Sequence, residues 1–173
     1  MTDENDYVRN ALSQVGIKVN NIYDLVNTNQ DYTEAIPVLV DLLKKGIKDD
    51  KVKEGIIRSL AVKHAKGKAG DVLLKEFNKI PVEKTMLRWA IGNTMSIIIT
   101  NDDLEGVLEI IKDKKNGVAR QMFILSLSKI KSDIIEEILI DLLKDDEVSA
   151  YSLVVLGKLK VTRARHQISQ LLN

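Results

Sequence analysis

The residues best suited to acid–base chemistry in this chain are its two histidines, His64 and His166. A histidine acts as a general base only when its reaction partner lies within hydrogen-bond reach. The two rings are far apart in the sequence, and helices stacked between them would each add about 8–10 Å of separation. The chain also has no cysteine, which removes thiol nucleophiles, thiolate metal ligands and disulfides. We therefore predict that both histidines are surface or capping residues and that the protein is not an enzyme.

Grouped acidic residues are the other candidates for chemistry, because carboxylates bind divalent cations. Three such groups occur, at residues 49–50, 102–103 and 145–147. They lie in three separate predicted turns without EF-hand spacing, so the pattern favours capping of the helices that follow. The glycine-containing segment 67–70 lacks the length and the Ser or Thr of a phosphate-binding loop. We expect neither a metal nor another cofactor.

Two basic groups have the composition to contact phosphates. The first lies at 63–68 and the second at 158–166, and their members are Lys63, His64, Lys66 and Lys68, then Lys158, Lys160, Arg163, Arg165 and His166. A nucleic-acid-binding domain is usually plainly basic, whereas the formal net charge here is +1. Basic residues at the C-terminal ends of helices also stabilise the negative end of the helix dipole. Association with nucleic acid is therefore the alternative function rather than the first.

The composition is typical of a globular chain that packs through aliphatic side chains. Apolar residues make up 45% of the sequence and aromatic residues only 4%. No apolar run approaches the 18 or so residues that a membrane-spanning helix needs. The first six residues are acidic and lack the basic-then-apolar profile of a signal peptide. The sequence therefore predicts a cytoplasmic protein without a membrane partner.

Four segments share a pattern and are predicted to be the second helices of helix pairs: residues 52–61, 83–92, 119–128 and 148–157. Each ends with a large aliphatic residue followed by a small one. These pairs are Leu60-Ala61, Ile91-Gly92, Leu127-Ser128 and Leu156-Gly157, so that the small residue recurs at intervals of 31, 36 and 29 positions. A small residue at a constant place in a helix allows a neighbouring helix to approach closely, which favours a stacked repeat architecture.

Amphipathic segments precede these helices and predict the first helix of each pair, at residues 35–46, 71–80, 104–112 and 134–144. No segment alternates with period two for long enough to predict a strand, so the fold class is all-α. We predict one domain over residues 1–173. It comprises degenerate N-terminal helices in 1–32, four helical repeats in 33–163 and a terminal half-repeat in 164–173. The half-repeat has no partner helix, which leaves a homo-oligomer through this C-terminal helix possible.

The repeat pattern resembles that of HEAT repeats, in the short form found in small bacterial scaffold proteins. The second helix of that family reads roughly Val-Arg-x-Ala-Ala-x-x-Ala-Leu-Gly, and residues 148–157 match it best. Glu83 and Ala119 depart from the opening Val, and Ser149 departs from the basic second position. The resemblance implies a right-handed α-solenoid of four to five helical hairpins. It also implies a non-catalytic scaffold or adaptor that binds a protein or peptide, of unspecified identity, on its concave face.

The repeat predicts which side chains of the second helices face the core. Counted from the first residue of each segment, positions 1, 5, 8 and 9 should be buried, and positions 3, 7, 10 and 11 should line the concave face. We call the predicted concave residues the strip: Glu54, Arg58, Thr85, Trp89, Asn93, Gln121, Leu125 and Val154. Arg88 and Arg120 are predicted to flank it. The predicted protein-binding residues are Arg58, Arg88, Trp89, Asn93, Arg120 and Gln121, because Trp and Arg often anchor interfaces. Two alternatives remain: burial of Trp89 between repeats, and pairing of the two flanking arginines with turn acids.

Overall fold

A computed structural model of the chain describes residues 3–164 and residue 169. Within these residues the protein is all-helical and contains no strand. Its α-helices are α1 (Glu4–Ser13), α2 (Tyr23–Val26), α3 (Ala35–Lys45), α4 (Asp50–Ser59), α5 (Gly70–Lys79), α6 (Thr85–Ile98), α7 (Leu104–Lys112), α8 (Arg120–Ser126), α9 (Asp133–Leu142) and α10 (Ser149–Leu159). The predicted half-repeat at 164–173 lies almost wholly outside the described residues.

The helices confirm the predicted pairs. The first helices are α3, α5, α7 and α9, and the second helices are α4, α6, α8 and α10, each overlapping its predicted segment. The largest difference is at α6, which continues to Ile98 instead of ending near Gly92. Gly92 does not end this helix, because apolar Met95 and Ile98 maintain the buried face for another turn and a half.

Each pair packs internally, and successive pairs pack on one another. The helices α3 and α4, α5 and α6, α7 and α8, and α9 and α10 are in contact. The second helices also form a row, in which α4 packs on α6, α6 on α8 and α8 on α10, while α2 packs on α4. One hydrophobic core follows this row, with buried side chains from Val8 to Leu156. Every second helix except α10 therefore has a described helix on each side.

Close approach between second helices is confirmed at one of the predicted small residues. A Cβ added to Gly92 would lie 2.8 Å from the Cβ of Met122 in α8, a distance that real Cβ atoms do not adopt. At Gly157 in α10, by contrast, no described heavy atom outside its own helix turns lies within 4 Å of such a Cβ. Gly55 in α4, which the repeat pattern did not single out, approaches Ile22 closely. Among the described residues, the bulky-then-small pair therefore marks tight packing at α6 but not at α10.

The prediction that the acidic turns cap helices is confirmed at Asp49, before α4, and at Asp103, in the short 3₁₀ segment Asn101–Asp103 before α7. It is wrong for residues 145–147, because α10 has no side-chain cap and Asp145 binds Arg120 instead. The Asp49 carboxylate accepts hydrogen bonds from the backbone N–H groups of Lys51 and Val52, at 2.8 and 3.0 Å. Asp103 accepts a bond of 2.8 Å from the backbone N–H of Thr100. These bonds satisfy N–H groups that have no partner inside a helix. Nowhere between residues 3 and 164 is a helix both long and apolar enough to cross a membrane.

Candidate protein-binding face

The predicted buried side of the second helices is confirmed, whereas Gly92, which the repeat places on the other side at position 10, is buried as well. Positions 1, 5, 8 and 9 of the four segments are all buried except Glu83. Glu83 is exposed because α6 begins only at Thr85, so that its side chain precedes the helix. The buried members are Val52, Ile56, Ser59, Leu60, Leu87, Ala90, Ile91, Ala119, Phe123, Ser126, Leu127, Val148, Ser152, Val155 and Leu156.

The strip lies on the exposed side. None of its eight members is buried; Thr85 and Val154 are exposed, and the other six are half-buried. Trp89 is half-buried, so its ring is neither free in solvent nor enclosed between repeats. Because these residues come from adjacent helices of the packed row, they form one surface that runs from α4 to α10.

Three strip residues, Glu54, Arg58 and Gln121, are already engaged within the protein. The Arg58 guanidinium pairs with Glu54 one turn earlier in α4, at 2.7 Å, and both side chains are about one-quarter exposed. The Gln121 amide donates a hydrogen bond of 2.9 Å to the backbone carbonyl of Glu147. The other strip side chains, at Thr85, Trp89, Asn93, Leu125 and Val154, form no hydrogen bond or ion pair within the described part of the chain.

The prediction that Arg88 flanks the strip is wrong. Its side chain is buried, with 4% of its surface exposed, and its guanidinium donates a hydrogen bond of 2.7 Å to the Ile80 carbonyl. It also donates to the Asn116 side chain and lies over the Phe77 ring at 3.9 Å. Burial lowers the pKa of this guanidinium. Arg88 directly follows the buried Leu87, and 100° of helical rotation turns it toward α5 rather than toward the exposed face.

The same prediction is wrong for Arg120, and the alternative of pairing with turn acids is confirmed. Arg120 is only 1% exposed, and its guanidinium binds Asp145 at 2.9 Å and Glu147 at 2.5 Å. Burial opposes its charge, but the bonds to the two carboxylates outweigh burial and raise its pKa. The bond from Arg120 in turn holds the pKa of Asp145 below its ordinary value. Arg120 therefore joins α8 to the turn before α10.

The structure brings together four lysines that sequence analysis had placed in separate groups or missed. We call Lys63, Lys66, Lys129 and Lys158 the lysine cluster. Lys129 donates a hydrogen bond of 2.8 Å to the Ile97 carbonyl near the end of α6. Partial burial and the charges of Lys66, Lys63 and Lys158 together lower the pKa of Lys129. The sequence contains one indication of this grouping. Lys129 and Lys158 both occupy position 11 of the repeat, in the third and fourth segments, and the repeat places that position on the concave face.

A surface cleft of about 570 Å³ adjoins this cluster at the end of α4. Its wall includes Val62, Lys63 and Ile97, and its rim includes His64. The His64 ring is exposed and shares a hydrogen bond of 2.7 Å with the Thr33 hydroxyl, which confirms the prediction of a surface position. In the part of the chain that the structure describes, no three His, Asp or Glu side chains are grouped so that they could hold a metal ion.

The second basic group is described only in part. Arg163 pairs with Glu136 at 3.1 Å and donates a bond of 3.1 Å to the Asp133 carbonyl. Arg165 and His166 lie outside the described residues. Of the predicted group, Lys158 and Lys160 are therefore the described members without an acidic partner in the described chain.

The chain was also compared with known proteins. No model of a known protein family, no curated protein and no solved structure matches it.

Proposed function

We propose that the protein is a non-catalytic scaffold or adaptor, built as a right-handed α-solenoid of HEAT-type hairpins, that binds a protein or peptide on its concave face. The observation that carries the proposal is the strip itself. Successive second helices bury one side in a continuous core, while among the described residues the strip on their other side is half-buried or exposed. Repeat proteins use such extended surfaces to bind other macromolecules.

The chemistry of the strip fits a protein partner. Trp89, Leu125 and Val154 offer apolar surface on three successive helices, and Val154 is 48% exposed. Asn93, one turn after Trp89, offers an amide for hydrogen bonds. An apolar surface with a few polar groups, anchored by a partly covered tryptophan, is typical of grooves that bind amphipathic helices. The proposed binding residues are Arg58, Trp89, Asn93 and Gln121, extended by Leu125 and Val154, while Arg88 and Arg120 are left out because they are buried.

The proposal is tested by selecting random peptides, long enough for four helical turns, on the full chain by phage display. Affinities of the enriched peptides are then measured by fluorescence anisotropy. We expect Trp89→Ala and Val154→Glu each to weaken binding by about tenfold or more, since truncated interface anchors cost more than 1 kcal/mol. Ile134→Ala is the matched control, because Ile134 is an exposed aliphatic residue, 53% accessible, on a first helix.

Circular dichroism melting shows whether each variant remains folded. Val154→Glu is the decisive variant, because Val154 is exposed and its replacement leaves the core intact. If Val154→Glu and Trp89→Ala leave the affinity for the peptides unchanged while Ile134→Ala lowers it, the binding surface does not lie on the strip. Failure to enrich any peptide would contradict the proposed function itself.

A further inference from the structure

The lysine cluster lies at one end of the strip. Lys158 follows the strip residue Val154 by four positions within α10, so it lies one helical turn further along the same face. Lys129 follows the strip residue Leu125 by four positions and lies in the short 3₁₀ segment Leu127–Lys129 that continues α8. The short 3₁₀ segment that contains Lys63 packs on α6, and the one that contains Lys129 packs on α10. The strip and the lysine cluster therefore form one continuous surface, apolar in the middle and positive where the second helices end.

The positive charge of this end is not neutralised within the described chain. None of the four lysines forms an ion pair with a carboxylate there, whereas Lys53, Lys75 and Lys84 elsewhere in the protein do. The cluster instead concentrates like charges, and the pKa of Lys129 is lowered first by partial burial and then by that repulsion. The negative end of the helix dipole favours a lysine at position 158, in the last turn of α10. It also accounts for the bond from Lys129 to the Ile97 carbonyl near the end of α6. The dipole of α4 accounts less well for the presence of Lys63 and Lys66, because both lysines lie beyond the last turn of that helix.

We propose that the partner is an acidic protein segment, whose apolar side chains pack on Trp89, Leu125 and Val154 while its carboxylates bind the lysine cluster. The inference rests on the proposed function and specifies the chemistry of the partner. Charge complementarity supports it, because a carboxylate placed among the four lysines relieves their repulsion as well as forming new ion pairs. The adjoining cleft provides an apolar wall, at Val62 and Ile97, for a further side chain of the segment.

A protein segment fits this surface better than a nucleic acid does. The phosphates of a nucleic acid are spaced along its length, so a binding protein presents basic residues along an extended track. Here the unpaired lysines are grouped at one end, and the neighbouring strip is aliphatic at Leu125 and Val154. The formal net charge of +1 provides no general attraction for a polyanion.

The test uses the composition of the selected peptides and a charge-reversed variant. We expect the enriched peptides to be rich in Asp and Glu beside aliphatic residues at helical spacing. We expect the double change Lys129→Glu and Lys158→Glu to weaken their binding by about tenfold or more at low salt, with a smaller effect at high salt. The matched control is Lys44→Glu with Lys112→Glu, an equal charge change at exposed positions near the ends of two first helices.

The outcomes separate the two proposals. Peptides without acidic residues that still depend on Trp89 would overturn the acidic partner and leave the proposed function standing. Absence of any enriched peptide would overturn both. A fluorescently labelled DNA duplex that binds more tightly than every peptide, and that is released by the Lys129/Lys158 change but not by the control, would identify the lysine cluster as a nucleic-acid site and overturn the inference.

Discussion

At the N-terminal ends of α6 and α8, Arg88 and Arg120 are buried and donate hydrogen bonds to internal acceptors. Near the C-terminal ends of α4, α8 and α10, by contrast, the lysine cluster has no acidic partner in the described chain. A positive charge is unfavourable at a helix N-terminus, so each arginine needs carbonyls or carboxylates beside it. At a helix C-terminus the dipole itself favours a cation. The comparison teaches that basic residues at opposite ends of these helices differ in environment, since one set joins the repeats and the other has no carboxylate beside it among the described residues.

The strongest test of this contrast is Arg120→Ala, which leaves the carboxylates of Asp145 and Glu147 without their buried partner. We expect a loss of about 3 kcal/mol in the free energy of unfolding, measured by urea denaturation. Lys114→Ala is the control, because Lys114 also faces Asp145, at 3.7 Å, but is 79% exposed. We expect the control to change stability by less than about 0.5 kcal/mol. Equal effects in the two variants would refute a special role for the buried guanidinium.

Arg88→Ala should destabilise the protein by a smaller amount, about 2 kcal/mol, because its acceptors are a carbonyl and an amide rather than carboxylates. The loss comprises these two hydrogen bonds and the contact with the Phe77 ring. The same urea denaturation measures it. A loss larger than that of Arg120→Ala would reverse the ranking of the two arginines.

The ion pair of Arg120 also predicts a dependence of stability on pH. The folded pKa of Asp145 lies below its ordinary value of 3.8, so at mildly acidic pH the unfolded chain binds a proton that the folded protein does not. Asp145 therefore stabilises the folded protein at pH values above its ordinary pKa. This stabilisation is lost as the pH falls through the folded pKa of Asp145. We expect the stability gap between wild type and Arg120→Ala to narrow as pH falls below about 4. A gap that is constant from pH 7 to pH 2 would show that Asp145 does not depend on Arg120.

The smallest expected effect is in the lysine cluster, where Lys129→Met should stabilise the free protein by no more than about 0.5 kcal/mol. The folded pKa of Lys129 is lowered, so the folded state tolerates its charge less well than the unfolded state does. The gain should be present at neutral pH and disappear as pH rises through the ordinary lysine pKa, about 10.4. Thermal melting at pH 7 and pH 11 measures it. A clear loss of stability at pH 7 would show that the bond to Ile97 matters more than the repulsion.

The helix positions and the buried side of each helix were predictable from the sequence. Both depend on spacings within one helix, such as the interval from Val52 to Ile56. Apolar residues repeated at that interval lie on one face of the helix, and burying that face is the energetically favourable orientation of the helix. The close packing at Gly92 was predictable for the same reason, because the small residue recurs at one place in the repeat.

The fates of the charged residues were decided only by the tertiary structure. Arg88 and Arg120 directly precede the strip residues Trp89 and Gln121, yet both arginines are buried. Besides carbonyls of their own pairs, they bind acceptors in turns of other pairs, at Asn116, Asp145 and Glu147. The lysine cluster likewise collects residues from three parts of the chain, 63–66, 129 and 158. Hydrophobic periodicity is a local property that one segment carries by itself, whereas the free energy of a charge depends on every group that folding brings near it.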